Sequence, residues 1–304
     1  MRSPLVVLQK PDQSGAPGLI AAGMKCRDRW LDLTQPVVMG ILNITPDSFS
    51  DGGRFIDASG RVRLDDVEEQ ASCMVSAGAK ILDIGGESTR PGAPEVSSEQ
   101  EMERVIPVME RLRSLDTLLS VDTRKGVVAE AALAAGCHLV NDVSAGIDET
   151  VLHAVSRCGA GLCLMHMRGE PATMQHAPEY LDVLSEIGVY LADRVKRAIA
   201  LGIDRQSIVI DPGIGFGKTM QHNLRLLANL ERFAEAGLPI LVGVSRKSFL
   251  GRITNRPVEE RLYASIAMAV LAVEHGARII RAHDVAETYD ALSVWTALNN
   301  ERTG

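Results

Sequence analysis

No stretch of the 304-residue chain strings together enough apolar residues to cross a bilayer, and no run of Lys or Arg offsets its acidic balance. The first absence argues against a membrane span. The second, with a formal net charge of −7, argues against a nucleic-acid or anionic-membrane surface. The first residues, with only 5–8 apolar after Arg2, do not read as a signal peptide. Cys26, Cys73, Cys137, Cys158 and Cys163 form no C-x-x-C pair and are odd in number, so neither a disulfide framework nor a zinc site is expected. Five reduced thiols in a cytoplasmic protein is the reading that follows. A Ser/His/Asp nucleophile set is also not evident.

What the chain does have is a series of short apolar runs that stop at polar residues. Residues 37–42 are too short for a helix and suit a strand buried on both faces. The run stops at Asn43, and a loop with Pro46, Asp47, Ser48, Ser50, Asp51 and two glycines follows. The pattern recurs at 81–86, before Glu87-Ser-Thr-Arg-Pro-Gly92, and at 118–121, before Asp122-Thr123. It recurs again at 138–140, before Asn141-Asp142, and at 161–165, before His166. The last three runs are 208–210, before Asp211-Pro-Gly-Ile-Gly-Phe-Gly-Lys218, 240–242, before Gly243-Val-Ser-Arg-Lys-Ser248, and 278–280, before Arg281-Ala-His-Asp284.

Helical spacing fills the intervals. It is seen in Val67, Ala71 and Met74, in Met102, Val105, Met109 and Leu112, and in Leu184, Ile187, Leu191 and Val195 up to Gly202. Ser98 with Glu101 predicts a capping box, Pro107 a kink, Asp148 a helix cap, and Leu224, Leu227, Leu230 and Phe233 one helix. Residues 30–33 alternate as a short strand or hairpin does, whereas residues 1–23, rich in Pro, Gly, Ser and Gln, read as a loosely ordered extension. Eight strand-then-helix units point to an α/β fold, a (β/α)8 TIM barrel formed by residues 24–304 as one domain. A doubly wound open sheet is the alternative, but it would not need eight units.

In such a barrel the strand C-termini share one face, so Asn43, Arg90, Asp122, Asn141, Asp211, Lys247, Arg281 and His283 would converge. Arg90, Arg281 and His283, with Asn43, suit a phosphate or pyrophosphate, and Mg2+ would bind through its oxygens. Asp122, Asn141, Asp211 and Lys247 match the donor and acceptor edges of a polar heterocycle, with Met165 and Phe216 as apolar walls. Each residue also has a plainer use. Asp122 can cap a helix, Asp211 and Asn141 can form turns, Arg90 can be a solvated loop charge, and His166 reads as structural. Lys218 and Arg246 read as surface charges. Residues 213–219 end like a P-loop, but Pro212 stands where its first glycine is needed.

Met39-Gly-Ile-Leu-Asn-Ile-Thr-Pro-Asp-Ser-Phe-Ser-Asp-Gly-Gly53 resembles the dihydropteroate synthases of folate biosynthesis. So, in order, do Asp83-Ile-Gly-Gly-Glu-Ser-Thr-Arg-Pro-Gly92, Ser120-Val-Asp-Thr123, Val140-Asn-Asp142, Leu164-Met-His-Met167, the 211–218 run, Val244-Ser-Arg-Lys-Ser248 and Arg281-Ala-His-Asp284. The resemblance covers about residues 31–297. It implies condensation of a hydroxymethyl-dihydropterin pyrophosphate with p-aminobenzoate to give dihydropteroate, use of Mg2+, inhibition by sulfonamides, and a homodimer. By similarity Asp122, Asn141, Asp211 and Lys247 hold the pterin beside Met165 and Phe216. Asn43, Arg90, Arg281 and His283 hold the pyrophosphate, and Asn43 also reaches the metal. Phe49, Asp51, Thr89, Arg90 and Pro91 form the p-aminobenzoate site, and Ser248 receives its carboxylate. Lys247, Arg281, His283 and Asp122 are the expected catalytic residues. Residues 124–126 and 143–146 depart from the family's pattern beside the site. A pterin-dependent methyltransferase module and a non-catalytic pterin-binding paralogue are the competing readings.

Overall fold

The computed structural model describes residues 22–46, 53, 55–88, 92–93, 95–171 and 173–303. A hairpin of β1 (Gly23–Cys26) and β2 (Arg29–Asp32) comes first. The runs read as buried strands follow as β3 (Val37–Asn43), β4 (Ala79–Gly85), β5 (Leu118–Asp122) and β6 (Leu139–Asp142). The remaining four are β7 (Gly161–Met165), β8 (Ile208–Asp211), β9 (Leu241–Gly243) and β10 (Ile279–Ala282). All neighbours pair in parallel in the order β8-β7-β6-β5-β4-β3-β10-β9, and a parallel bridge from Ile210 to Ile240 joins the two ends. The expected eight-stranded barrel is therefore present, and the open sheet is not.

The helices alternate with the strands: α1 (Leu64–Ser76), α2 (Ser98–Leu112), α3 (Gly126–Ala134), α4 (Glu149–Cys158) and α5 (Val183–Ala200). Then come α6 (Met220–Leu227), α7 (Glu231–Ala234), α8 (Ser248–Thr254), α9 (Leu262–Glu274) and α10 (Val285–Thr303). Two local expectations are corrected. The capping box of α2 is one residue earlier, with Ser97 Oγ accepting from Gln100 N, so Glu101 is free to turn inward. The helix expected through Phe233 is two helices, because α6 ends at its cap Ala228 and the chain turns again from Leu230. The Asp148 cap is as expected, its side chain accepting from Thr150 N.

The period-2 alternation of each strand sorts its side chains into two cores. Val38, Leu42, Leu82, Ile84, Val121, Val140, Leu162, Leu164, Ile210 and Ile280 point outward and pack beneath the helices. Met39, Ile81, Leu118, Leu139, Cys163, Val209, Leu241 and Ile279 point inward and form the barrel's lower interior. Met24, Cys26, Leu31 and Leu33 of the hairpin join that inner cluster, so β1 and β2 close the N-terminal end of the barrel. Two residues further along, five of the eight strands turn a polar residue inward, Asp83, Ser120, Asn141, Asp211 and Arg281, while β3, β7 and β9 place Ile41, Met165 and Gly243 there. The apolar floor and polar ceiling place any site at the strand C-termini.

Candidate active site

A cavity of about 960 Å³ opens at that end. It is lined by Asn43, Asp122, Asn141, Met165, Asp211, Phe216, Lys247, Ser248, Arg281 and His283. Every anticipated site residue within the described part of the chain thus reaches one pocket. Phe49, Asp51, Thr89, Arg90 and Pro91 lie outside the described residues.

The strand ends set the polar positions. Asp122 closes β5, and its Oδ2 accepts from Arg281 Nη2 at 2.8 Å. Its Oδ1 is buried and has no hydrogen-bond partner. Burial pushes the Asp122 carboxyl up to about 7, against the pull of the Arg281 guanidinium. Asp122 is not the cap of α3, whose N-cap is Lys125. Asp211 closes β8 and serves the turn as well as the cavity. One of its oxygens accepts from Gly213 N at 2.6 Å, and burial pushes its carboxyl up to about 6 despite that bond and nearby Lys247. Lys247 Nζ lies 4.2 Å from the centre of the Phe216 ring, a cation–π contact that carries the ammonium onto the same wall. A side chain at Gly215 would press on Lys247, the nearest approach being 3.1 Å to Cδ. His283 Nδ1 is 3.0 Å from Ser245 Oγ, tying the β10 end to the β9 loop.

Of two residues read as surface charges, Lys218 is buried and Arg246 half-buried. Lys218 is 3% exposed, and its Nζ reaches His166 Nδ1 at 3.0 Å, Phe216 O at 2.9 Å and His166 O at 3.3 Å. It therefore bolts the glycine loop to the end of β7. Burial and the Lys218 charge push the His166 imidazole down to about 2, which fits the structural role expected of His166. Arg246 pairs with Asp284, and its backbone N donates to Ser265 Oγ at 2.8 Å. Each charge misleads in sequence because one of its partners, His166 for Lys218 and Asp284 for Arg246, lies far along the chain.

Asp83 was missed because it lies inside a strand, not at its tip. It is fully buried, and three donors meet it: Ser120 Oγ at 2.6 Å, Asn141 Nδ2 at 3.0 Å and Arg281 Nε at 2.6 Å. The available signal was a carboxylate within the apolar run Ile81-Leu-Asp-Ile84, which is costly to bury unless partnered.

A family model described as "Pterin binding enzyme" matches residues 39–283. The chain is 48% identical to the dihydropteroate synthase of Escherichia coli K12 over 265 residues, 87% of this chain and 92% of that protein. A dihydropteroate synthase from Yersinia pestis, solved with a sulfonamide drug, superposes with a TM-score of 0.87 at 46% identity, covering 91% of this chain and 99% of the other. One from Burkholderia cenocepacia, complexed with 7,8-dihydropteroate, gives 0.83 at 43% identity, covering 94% and 99%. With a family model spanning most of the chain and relatives this similar over nearly their whole length, the chain belongs to the pterin binding enzyme family.

Proposed function

We propose that this chain is a dihydropteroate synthase: it joins 6-hydroxymethyl-7,8-dihydropterin pyrophosphate to p-aminobenzoate, giving 7,8-dihydropteroate and pyrophosphate. The observation that carries the reading is the meeting, in one cavity, of two chemically distinct sets of side chains. Asp122, Asn141, Asp211 and Lys247 offer acceptors and one donor to the edge of a nitrogen heterocycle, with Met165 and Phe216 beside its faces. Arg281, His283 and Asn43 offer donors to a polyanion. The product and sulfonamide complexes of the relatives support the assignment.

An aromatic amine is uncharged at neutral pH and needs no general base to attack. The demanding step is departure of pyrophosphate from a methylene carbon that gains positive charge. Arg281 and His283 stabilise the negative charge on the leaving group, and Asp122 and Asp211 face the electron-rich ring that shares the positive charge. We infer an SN1-like course, in which the C–O bond breaks before the amine nitrogen forms its bond and the released amine proton passes to solvent or pyrophosphate. A kinetic isotope effect at the methylene carbon characteristic of tight, associative displacement would refute this course.

Mg2+ fits the donor set. Among the described residues no group of three His, Cys, Asp or Glu could hold a metal, and Asn43 contributes one amide oxygen at the cavity. A hard cation held by few protein oxygens relies on substrate phosphate and water, the habit of Mg2+. When bound it would help neutralise the pyrophosphate.

Tyr263 and Leu271 of α9 and Val294 and Leu298 of α10, on two helices that pack together, are exposed apolar residues. A homodimer contact across these two helices would cover them. Sedimentation of a monomer at micromolar concentration would exclude it. No described helix is long and apolar enough to cross a membrane.

The deciding assay follows pyrophosphate release from the pterin substrate with and without p-aminobenzoate. Release coupled to dihydropteroate supports the synthase. Tight pterin binding without turnover would make the chain a binding protein.

A further inference from the structure

We propose that Asp83 is a positioning residue that sets the pterin and pyrophosphate halves of the site together, through Asn141 and Arg281. The proposal rests on the synthase reading for its substrates, but not for its geometry.

Asp83 sits on β4, Asn141 two strands away on β6 and Arg281 two strands away in the other direction on β10. Alternate strands supply the side chains of one barrel layer, so the three meet in the interior. Oδ2 of Asp83 accepts from both Asn141 Nδ2 and Arg281 Nε, while Oδ1 accepts from Ser120 Oγ. Asp83 is 0% exposed and does not line the cavity, so it acts on substrate only through those partners.

Two consequences follow from its chemistry. A carboxylate paired with a guanidinium offers only acceptors, so the Asn141 amide must turn its nitrogen toward Asp83. Asn141 then presents its carbonyl oxygen to the cavity, an acceptor for a ring N–H. Arg281 is held as a fork between Asp83 and Asp122, Nε on one and Nη2 on the other. The guanidinium plane is therefore fixed before substrate arrives, and Asp122 Oδ1 stays free. One carboxylate thus specifies hydrogen-bond polarity at the heterocycle and orientation at the leaving group.

Asp83→Asn keeps size and shape but brings a donor against donors. In steady-state assays of pyrophosphate release, kcat should fall and the KM for the pterin substrate rise, with kcat/KM down roughly 10- to 100-fold, as when oriented ligands lose their outer partner. The KM for p-aminobenzoate should change less than about twofold on the same scale. Ser120→Ala, which leaves the Asn141 and Arg281 bonds in place, should change kcat/KM by less than about threefold. The discriminating measurement is a double-mutant cycle. In an Arg281→Lys, Asn141→Ala background, Asp83→Asn should have little further effect on pterin affinity by calorimetry, because the residues it acts through are gone. Full additivity, or an equal rise in both KM values, overturns the proposal. Should Asp83→Asn unfold at assay temperature, Asp83→Glu decides: it keeps the charge and acceptors but displaces them by one methylene, so a raised KM for the pterin substrate at unchanged KM for p-aminobenzoate supports the proposal, and wild-type kinetics overturn it. If the wild type binds pterin but turns nothing over, the synthase reading fails, and the calorimetric cycle still tests Asp83.

Discussion

Gly213→Ala tests whether the loop after β8 lies directly on the end of β7. Gly213 has φ +69, and a Cβ there would fall far inside contact with the His166 carbonyl oxygen. The same oxygen is 3.3 Å from Lys218 Nζ, and Gly213 N donates to Asp211 at 2.6 Å, so neither neighbour can yield without breaking a bond. A left-handed backbone costs a non-glycine residue about 1–2 kcal/mol, and losing a hydrogen bond to a charged group about 1.5–3 kcal/mol. Together these give a destabilisation of about 3–5 kcal/mol. For a chain of this size that is a fall in Tm of roughly 5–8 °C. Gly159→Ala is the internal control: φ is +61, but no atom lies within 4 Å of its Cβ position, so only the backbone cost applies. Thermal unfolding of both variants by circular dichroism, with the KM for the pterin substrate, separates steric from backbone strain. Gly213→Ala should also raise that KM about tenfold or more, since Asp211 and Phe216 move with the loop. Equal Tm values for the two variants, with unchanged KM, would refute the direct packing of loop on strand.

Asp122→Asn should stabilise the free protein while weakening pterin binding. The native carboxyl is raised from 3.8 to about 7, so the folded state holds the proton longer than the unfolded chain, and stability is lost as pH rises through that window, by up to ~4 kcal/mol. The urea midpoint of Asp122→Asn should therefore exceed that of wild type most at pH 8 and converge with it toward pH 4; a constant gap would contradict this. Pterin affinity of the wild type should rise between pH 5.5 and pH 8 as Asp122 and Asp211 ionise, and calorimetry showing a flat profile would count against both as ring ligands. Ellman's reagent should titrate Cys73 and Cys158, the exposed thiols, quickly and Cys26, Cys137 and Cys163 only on unfolding. Five fast thiols would mean that the barrel floor opens.

The barrel was legible because buried parallel strands write themselves as uninterrupted apolar runs, and eight such runs ended in polar residues. Asn43, Asp122, Asn141, Asp211 and His283 could be found by that rule alone, since each stands at or just past a strand end. The rule fails for Asp83 and Lys218. Asp83 interrupts a strand, and Lys218 looks like an ordinary loop cation until His166, 52 residues away, folds against it. Pairing between distant residues leaves no local periodicity to read. Arg281 was found, but its engagement with two carboxylates was not, because a fork between β4 and β5 depends on the barrel being closed.

The hairpin of β1 and β2 makes the barrel a well with a stopper at its base. Traffic then has a single rim to cross, and whatever settles lowest must arrive first and depart last. On the proposed assignment a heterocycle held by Asp122 and Asn141 would be that lowest guest and the amine would enter after it, so initial-rate patterns of random order would contradict this picture.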